Sequence, residues 1–267
     1  MDENPFARSR RSNLRLLVSR TFASAQWTRS QKRLRKTPCS LQCSQIVARI
    51  KSQYNAKNVA GMARFGISAK NTYGLSIPTL RKMAKEIGRN HSLALLLWET
   101  EMHEARLLAG FIGDPTELTP SQMDKWVAGF DSWDVCDQVC GNLFDCHPLA
   151  HKKAKEWANS KEEFIRRAGF ALMAALSVHD KKATNAQFLS FLPIIKKYSH
   201  DERNFVKKAV NWALRQIGKR NIALNKAAIK AAKEILAQDT KSARFIANDA
   251  LRELQSAAVQ KRLRERK

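Results

Sequence analysis

The stretch F-I-R-R-A-G-F-A-L, which starts at Phe164, decides how this chain folds, because its pattern returns twice. F-V-K-K-A-V-N-W-A-L starts at Phe205 and F-I-A-N-D-A-L at Phe245, a spacing of about 40 residues. Each copy opens on an aromatic and an aliphatic residue, steps over two polar or small ones, and then sets Ala and Leu at helical spacing. A unit of that length holds two antiparallel helices, and a period of about 40–47 residues marks arrays of such pairs. One pair cannot bury its apolar stripe alone, so successive pairs stack into a curved rod with a concave face. The same register carries Arg166 and Arg167 in the first copy and Lys207 and Lys208 in the second, with Trp212 one turn further on.

Working outward, the rest of the chain keeps the helical rhythm. Periodic apolar positions predict helices over residues 41–53, 55–65, 78–87, 91–98, 103–112, 120–130, 132–144, 148–158 and 161–177. The pattern continues over 185–199, 201–217, 221–236 and 241–254. Pro78 and Pro120 suit first helical turns. Ser132, Ser160 and Asp201 suit N-caps, and Gly218 a helix stop. Alternating runs rich in Val, Ile and Thr are missing, so no sheet is expected. The fold class is therefore all-α, a HEAT-like helical-repeat solenoid (an α–α superhelix).

Three segments follow from composition. Residues 1–38 set ten Arg and Lys among Ser, Thr, Ala and Gln, with acids only at Asp2 and Glu3. This basic extension is expected to lack fixed order; a DNA-tracking arm or an organellar import signal are the functional alternatives. Residues 39–256 form the helical-repeat domain, and 257–267 are expected to be a frayed basic tail.

The 267 residues carry a net charge of +24 with an ordinary apolar fraction of 44%. Such a bias is silent on fold but argues for a polyanionic partner. No apolar run approaches the roughly 18 residues of a membrane span, so no membrane partner is expected. Five cysteines and no signal peptide suit a reduced, intracellular protein, and the expectation is a cytoplasmic monomer, nucleoid-associated if bacterial. Cys136, Cys140, Cys146 and His147 match no strong zinc spacing, so neither metal nor other cofactor is expected. His103 opens H-E-A-R, but Leu107 stands where a zinc-hydrolase helix needs its second histidine. Glu104 and Arg106 are read as contacts within or between repeats. Trp98, Trp126 and Trp157 are read as helix packing.

The densest chemistry lies in F-D-S-W-D-V-C-D-Q-V-C-G-N-L-F, residues 130–144. On a helix capped by Ser132, Trp133 and Asp137 are four apart and share one face. Asp134 sits to the side near the helix start, where its charge suits the dipole. Val135, Cys136 and Val139 supply the buried stripe. Taken alone, the segment also permits a Trp133 that seals an inter-repeat seam and an Asp137 that is a surface acid.

Together, Y-G-L-S-I-P-T-L-R-K-M-A-K, H-E-A-R, S-W-D-V-C-D, E-F-I-R-R-A and F-V-K-K-A-V-N-W-A-L-R resemble the DNA alkylation repair proteins of the AlkD type. The resemblance covers roughly residues 40–256. It implies HEAT-like repeats and excision of alkylated purines. Motif by motif, the family's two tryptophans, aspartate and arginine fall on Trp133, Trp212, Asp137 and Arg167. Ser132 departs from the best-known members, which carry a further tryptophan there, and that leaves substrate range open. The resemblance also implies that the protein reads distorted backbone and leaves the base outside a deep pocket.

The expectation is a monofunctional DNA glycosylase that hydrolyses the N-glycosidic bond of cationic N3- or N7-alkylated purines in double-stranded DNA and leaves an abasic site. Asp137, Trp133 and Trp212 would be catalytic. Arg167 would clamp a phosphate, with Arg166, Lys207 and Lys208 as further DNA contacts. One alternative is a non-catalytic binder of damaged, bent or branched DNA; another is a protein-interaction scaffold.

Overall fold

A computed structural model of the protein describes residues 38–265. All but the last residue of the basic extension, and the last two residues of the tail, lie outside the described residues. Among the described residues there are α-helices, one short 3₁₀ turn and no strand. The N-terminal part runs α1 (Cys39–Ser52), α2 (Ala56–Ala63), α3 (Ile77–Ile87), α4 (His91–Trp98), α5 (His103–Ile112) and α6 (Pro120–Ala128). It continues through α7 (Trp133–Asn142), α8 (Ala150–Ala158), α9 (Glu163–His179), α10 (Asn185–Leu189) and α11 (Leu192–Tyr198). The chain ends with α12 (Asn204–Gly218), α13 (Ile222–Leu236), α14 (Lys241–Leu254) and α15 (Ala257–Glu265).

The helices α5, α7, α9, α12 and α14 pack side by side in that order, with α8, α11 and α13 on their outer side. One continuous core of Leu, Ile, Val, Ala and aromatic side chains runs through the stack from Ile46 to Leu254. The repeat is visible in its own contacts. Phe164 and Phe205, the opening aromatics of two copies, stack on each other with ring centroids 5.5 Å apart. Gly169 lets α9 press onto α8, since a Cβ there would lie 2.3 Å from the Ala158 nitrogen. Trp98 and Trp126 stack at 4.3 Å inside the core, and the Trp157 indole donates to Asp124 at 2.9 Å. These three tryptophans are packing residues, as expected. Cys136 and Cys140 are buried in the α7–α9 seam, and among the described residues no group of three His, Cys, Asp or Glu is placed to hold a metal ion.

Three expectations need correction. The predicted helix over 185–199 is broken into α10 and α11 because Pro193 stands in the first turn of α11, where its missing N–H ends the preceding ladder. The tail over 257–267 is not frayed as far as it is described. It forms α15, whose Val259 and Leu263 lie one turn apart and are both buried. The surrounding charge in R-L-R-E-R-K hides this pair in the sequence. Asp201 and Ser160 sit before their helices, not at the caps: α12 starts at Asn204 and α9 at Glu163.

Asp201 has a different task. Its carboxylate binds Arg166 and Arg203, each at 2.6 Å, and its backbone carbonyl accepts the Ser242 hydroxyl. Burial alone would raise its pKa, but hydrogen bonds from Arg203 and Arg166 outweigh that and hold it at about 2. The folded value lies below the unfolded one, so the stabilisation is complete above about pH 4 and is lost as pH falls toward 2. Asp201→Asn leaves two arginines without their anion. We expect a loss of about 3 kcal/mol, or roughly 6–12 °C in Tm, near neutral pH. The gap from wild type should shrink in melts taken between pH 4 and pH 2; an unchanged gap would contradict the assignment.

Candidate nucleic-acid site

The N-terminal parts of α7, α9 and α12 each contribute to a single cavity of about 490 Å³. Trp133 and Asp137 come from α7, Arg167 from α9, and Phe205, Lys208 and Trp212 from α12. The four residues singled out in sequence, Trp133, Asp137, Arg167 and Trp212, therefore do meet around one space. Helical periodicity explains this directly. Positions 133 and 137, and 205, 208 and 212, fall on one face of their helices.

Helical periodicity also separates the basic pairs. Neighbouring residues on a helix point about 100° apart, so only one of each pair can face the cavity. Arg167 and Lys208 do. Arg166 turns away, pairs with Asp201 and lies over the Tyr198 ring at 4.2 Å. Lys207 lies 5.7 Å over the Phe245 ring of the next repeat. Arg166 thus serves inter-repeat packing, which corrects its expected role as a DNA contact.

Arg167 is only 6% exposed, and its donors are committed. Its Nε donates to Asp137 Oδ1 at 3.0 Å and its Nη2 to Asp137 Oδ2 at 2.8 Å, a two-pronged ion pair. Its Nη1 donates to the Phe205 carbonyl at 2.6 Å. The phosphate clamp expected of Arg167 is therefore replaced by a fork that fixes the Asp137 carboxylate and ties α9 to α12. Burial pushes the Asp137 carboxyl above its ordinary pKa, and the Arg167 guanidinium recovers part of that shift. The cations left to meet an anion at the cavity are Lys208 and Arg64, both exposed and both without an ionic partner among the described residues.

Arg64, Phe65 and Gly66 were not foreseen as part of the site. They belong to the loop after α2, which crosses to the cavity from the far end of the chain. The Trp133 indole N–H donates to the Phe65 carbonyl at 3.0 Å, and this fixes both the indole and the loop. Gly66 has a φ of +79°, and a Cβ there would lie 2.7 Å from the Phe205 ring, so the loop passes too close for any side chain. The Phe65 ring itself is 70% exposed. The sequence did hold a weak signal: a lone aromatic directly before a glycine, at a helix end, has no packing reason to be there.

Behind the site, buried polar contacts hold α5 and α7. Glu104 accepts the backbone N–H groups of Tyr73, Gly74 and Leu75, and Arg106 donates to the Gly129 carbonyl, both as sequence suggested. His103 Nε2 lies 2.9 Å from Asp134 Oδ2. Burial works against the imidazolium, but the Asp134 carboxylate outweighs it and the His103 pKa rises.

The curated relatives are of unknown activity. The uncharacterized proteins Lin0241 of Listeria innocua and Lmo0209 of Listeria monocytogenes are each 25% identical to this chain over 166 residues. Each match covers 61% of this chain and 72% of the relative. A solved structure aligns with a TM-score of 0.68 at 20% identity, over 82% of this chain and 95% of its own. It represents a family of proteins related to the HEAT-like repeat DNA glycosylases, with affinity for branched DNA structures. The fold is thus a HEAT-like helical repeat. The family model for the DNA alkylation repair enzyme matches residues 46–254, most of the chain, and the protein belongs to that family.

Proposed function

We propose that this protein is a monofunctional DNA glycosylase acting, as a monomer, on cationic N3- or N7-alkylated purines in duplex DNA. One observation carries the reading: a carboxylate held by a two-pronged arginine shares one cavity with two tryptophans and two exposed cations. Alkylation at N3 or N7 makes the purine a good leaving group. As the C1′–N bond breaks, its electron pair neutralises the base and positive charge builds on the deoxyribose. The Asp137 carboxylate stabilises that charge, more strongly where water is thinned out by Trp133 and Trp212. Indole faces beside a developing cation add about 1 kcal/mol or more each when desolvated. Water then adds to C1′, loses its proton to Asp137 or to solvent, and leaves an abasic site.

Arg167 is a positioning residue in this scheme, because it touches the carboxylate and not the substrate. Lys208 and Arg64 hold the phosphates that flank the sugar. Lys208, the amine that lines the cavity, is given to a phosphate in this scheme, which leaves water as the nucleophile.

A second reading has support of its own. Asp137 is neutralised by Arg167, and the solved relative belongs to a family with affinity for branched DNA. In that reading the same cavity grips a strand at a junction and breaks no bond. Both readings require phosphate-dominated binding. Affinity for a short duplex should fall on the order of a thousandfold between about 50 and 200 mM salt if six or more phosphates are engaged. A titration across that range that gives a flat log–log plot would exclude DNA as the partner. The readings separate in competition. A methylated duplex and a four-way junction titrated against each other, with base release followed in the same tubes, distinguish excision from capture.

A further inference from the structure

The cavity-lining face of α12 has a counterpart one repeat further on. Phe205, Lys208 and Trp212 line the cavity, and a shift of 40 residues carries their positions to Phe245, Asn248 and Arg252 on α14. Because α12 and α14 pack side by side, the two sets stand in one register on neighbouring helices. All three residues of the α14 set are exposed, and Lys241, one turn before Phe245, joins them on the same face.

The opening aromatics of the three copies have different fates. Phe164 and Phe205 stack on each other at 5.5 Å, and the loop at Gly66 passes against the Phe205 ring. Among the described residues no aromatic ring stacks on Phe245, which is 43% exposed. The Lys207 ammonium lies 5.7 Å over its ring. The charge around it is positive. Lys241 has no ionic partner among the described residues, and Arg252 pairs with Asp249 while its side chain stays 81% exposed.

A bare aromatic face, an ammonium beside it and an amide one turn away suit a nucleotide. The ring offers a surface on which a base stacks, and the cations meet its phosphate. The Asn248 amide can both donate to and accept from a base edge. An acidic peptide would use the cations and leave the ring bare. In continuous duplex each base already has neighbours on both faces, so the base that gains most from the ring is an unpaired one.

We propose that Phe245, with Lys207 and Asn248, forms a stacking platform for an unpaired base of the strand held at the Trp133–Trp212 cavity. This rests on the reading of that cavity as the place where a DNA strand binds, and does not depend on whether a bond is broken there. Packed helices stand about 8–10 Å apart, the length of roughly two to three base steps at about 3.4 Å each. The unpaired base therefore lies that far from the sugar at the cavity, on one side only, because α14 flanks α12 on the side away from α9. The platform gives the protein a preference for DNA that opens near the site, as at a fork, an overhang or a branch.

Fluorescence anisotropy with three probes tests this: a short blunt duplex, and the same duplex with an arm of unpaired thymines at the 5′ or the 3′ end of one strand. Wild type should bind one of the armed duplexes roughly tenfold tighter than the blunt one, as one base stacked on an aromatic ring allows. Phe245→Leu keeps an apolar side chain without a π-face. It should bind blunt duplex within about twofold of wild type and lose the preference for the arm, whereas Phe245→Trp should keep or raise it. With 5-iodouracil in the preferred arm, illumination should cross-link wild type within the peptide that holds Phe245. A wild type that binds blunt and armed duplexes alike overturns the platform and leaves the reading of the cavity intact. So does a preference that Phe245→Leu retains. A wild type that binds none of the three brings down the reading of the cavity, and the platform with it.

Discussion

Replacing Asp137 with asparagine is expected to slow release of 7-methylguanine from methylated duplex by roughly a hundredfold or more, the usual effect of removing a preorganised charge from a transition state. Asparagine keeps the size of the side chain and can still accept one prong from Arg167, but it leaves that buried guanidinium without its counter-ion, so a thermal melt should show a loss of stability beside the loss of rate. What disappears is the negative charge that meets the cationic sugar. Duplex affinity should hold or rise, because one anion facing the phosphates is gone. A pH profile gives a second signature. Burial places the Asp137 pKa above its ordinary value, so wild-type excision should decline on acidification at a pH higher than the roughly 3.9 of a free aspartate. The residual activity of the asparagine variant should lack that limb. A variant that excises at the wild-type rate, with the acid limb intact, would remove Asp137 from the mechanism.

Arg167→Ala should be as damaging to excision and far more damaging to the fold. The change strips Asp137 of two hydrogen bonds and its counter-charge, and leaves the Phe205 carbonyl without its donor. Removing one partner of a buried pair costs about 3–5 kcal/mol. The uncompensated carboxyl also climbs further in pKa, so the acid limb of excision should move toward neutrality. Arg167→Lys keeps a charge but cannot form the fork, and should recover stability more than activity. Single-turnover release measured beside thermal melts separates the two effects. A stable Arg167→Ala protein with a wild-type rate would show that the fork positions nothing.

The helical array was legible because its signal is repeated: three copies of one pattern and a period of about 40 residues leave little room for another architecture. The convergence of Trp133, Asp137, Arg167 and Trp212 was legible for the same reason, since equivalent positions of a stacked repeat share a surface. The contacts within that surface were not. Sequence places Arg167 beside Asp137 but cannot tell whether its fork faces the acid or a phosphate; the short 2.8 and 3.0 Å contacts decide that. Arg166 and Lys207 looked equivalent to their neighbours because a string has no angle, whereas a helix turns each residue by about 100°. The loop at Arg64, Phe65 and Gly66 escaped because it reaches the site from outside the repeat, through a glycine conformation and a backbone carbonyl that carry no periodic signal. Val259 and Leu263 were masked by the arginines around them.

The most direct measurement is single-turnover incubation of the purified protein with a duplex that carries one 7-methylguanine, followed by separation of the free base and alkaline cleavage of the strand. The account predicts first-order release of 7-methylguanine, with strand breakage only after alkali, as an abasic product requires. A protein that saturates with the same duplex and releases no base would contradict it, and would leave the Trp133, Asp137 and Trp212 cavity as a strand-gripping site without chemistry.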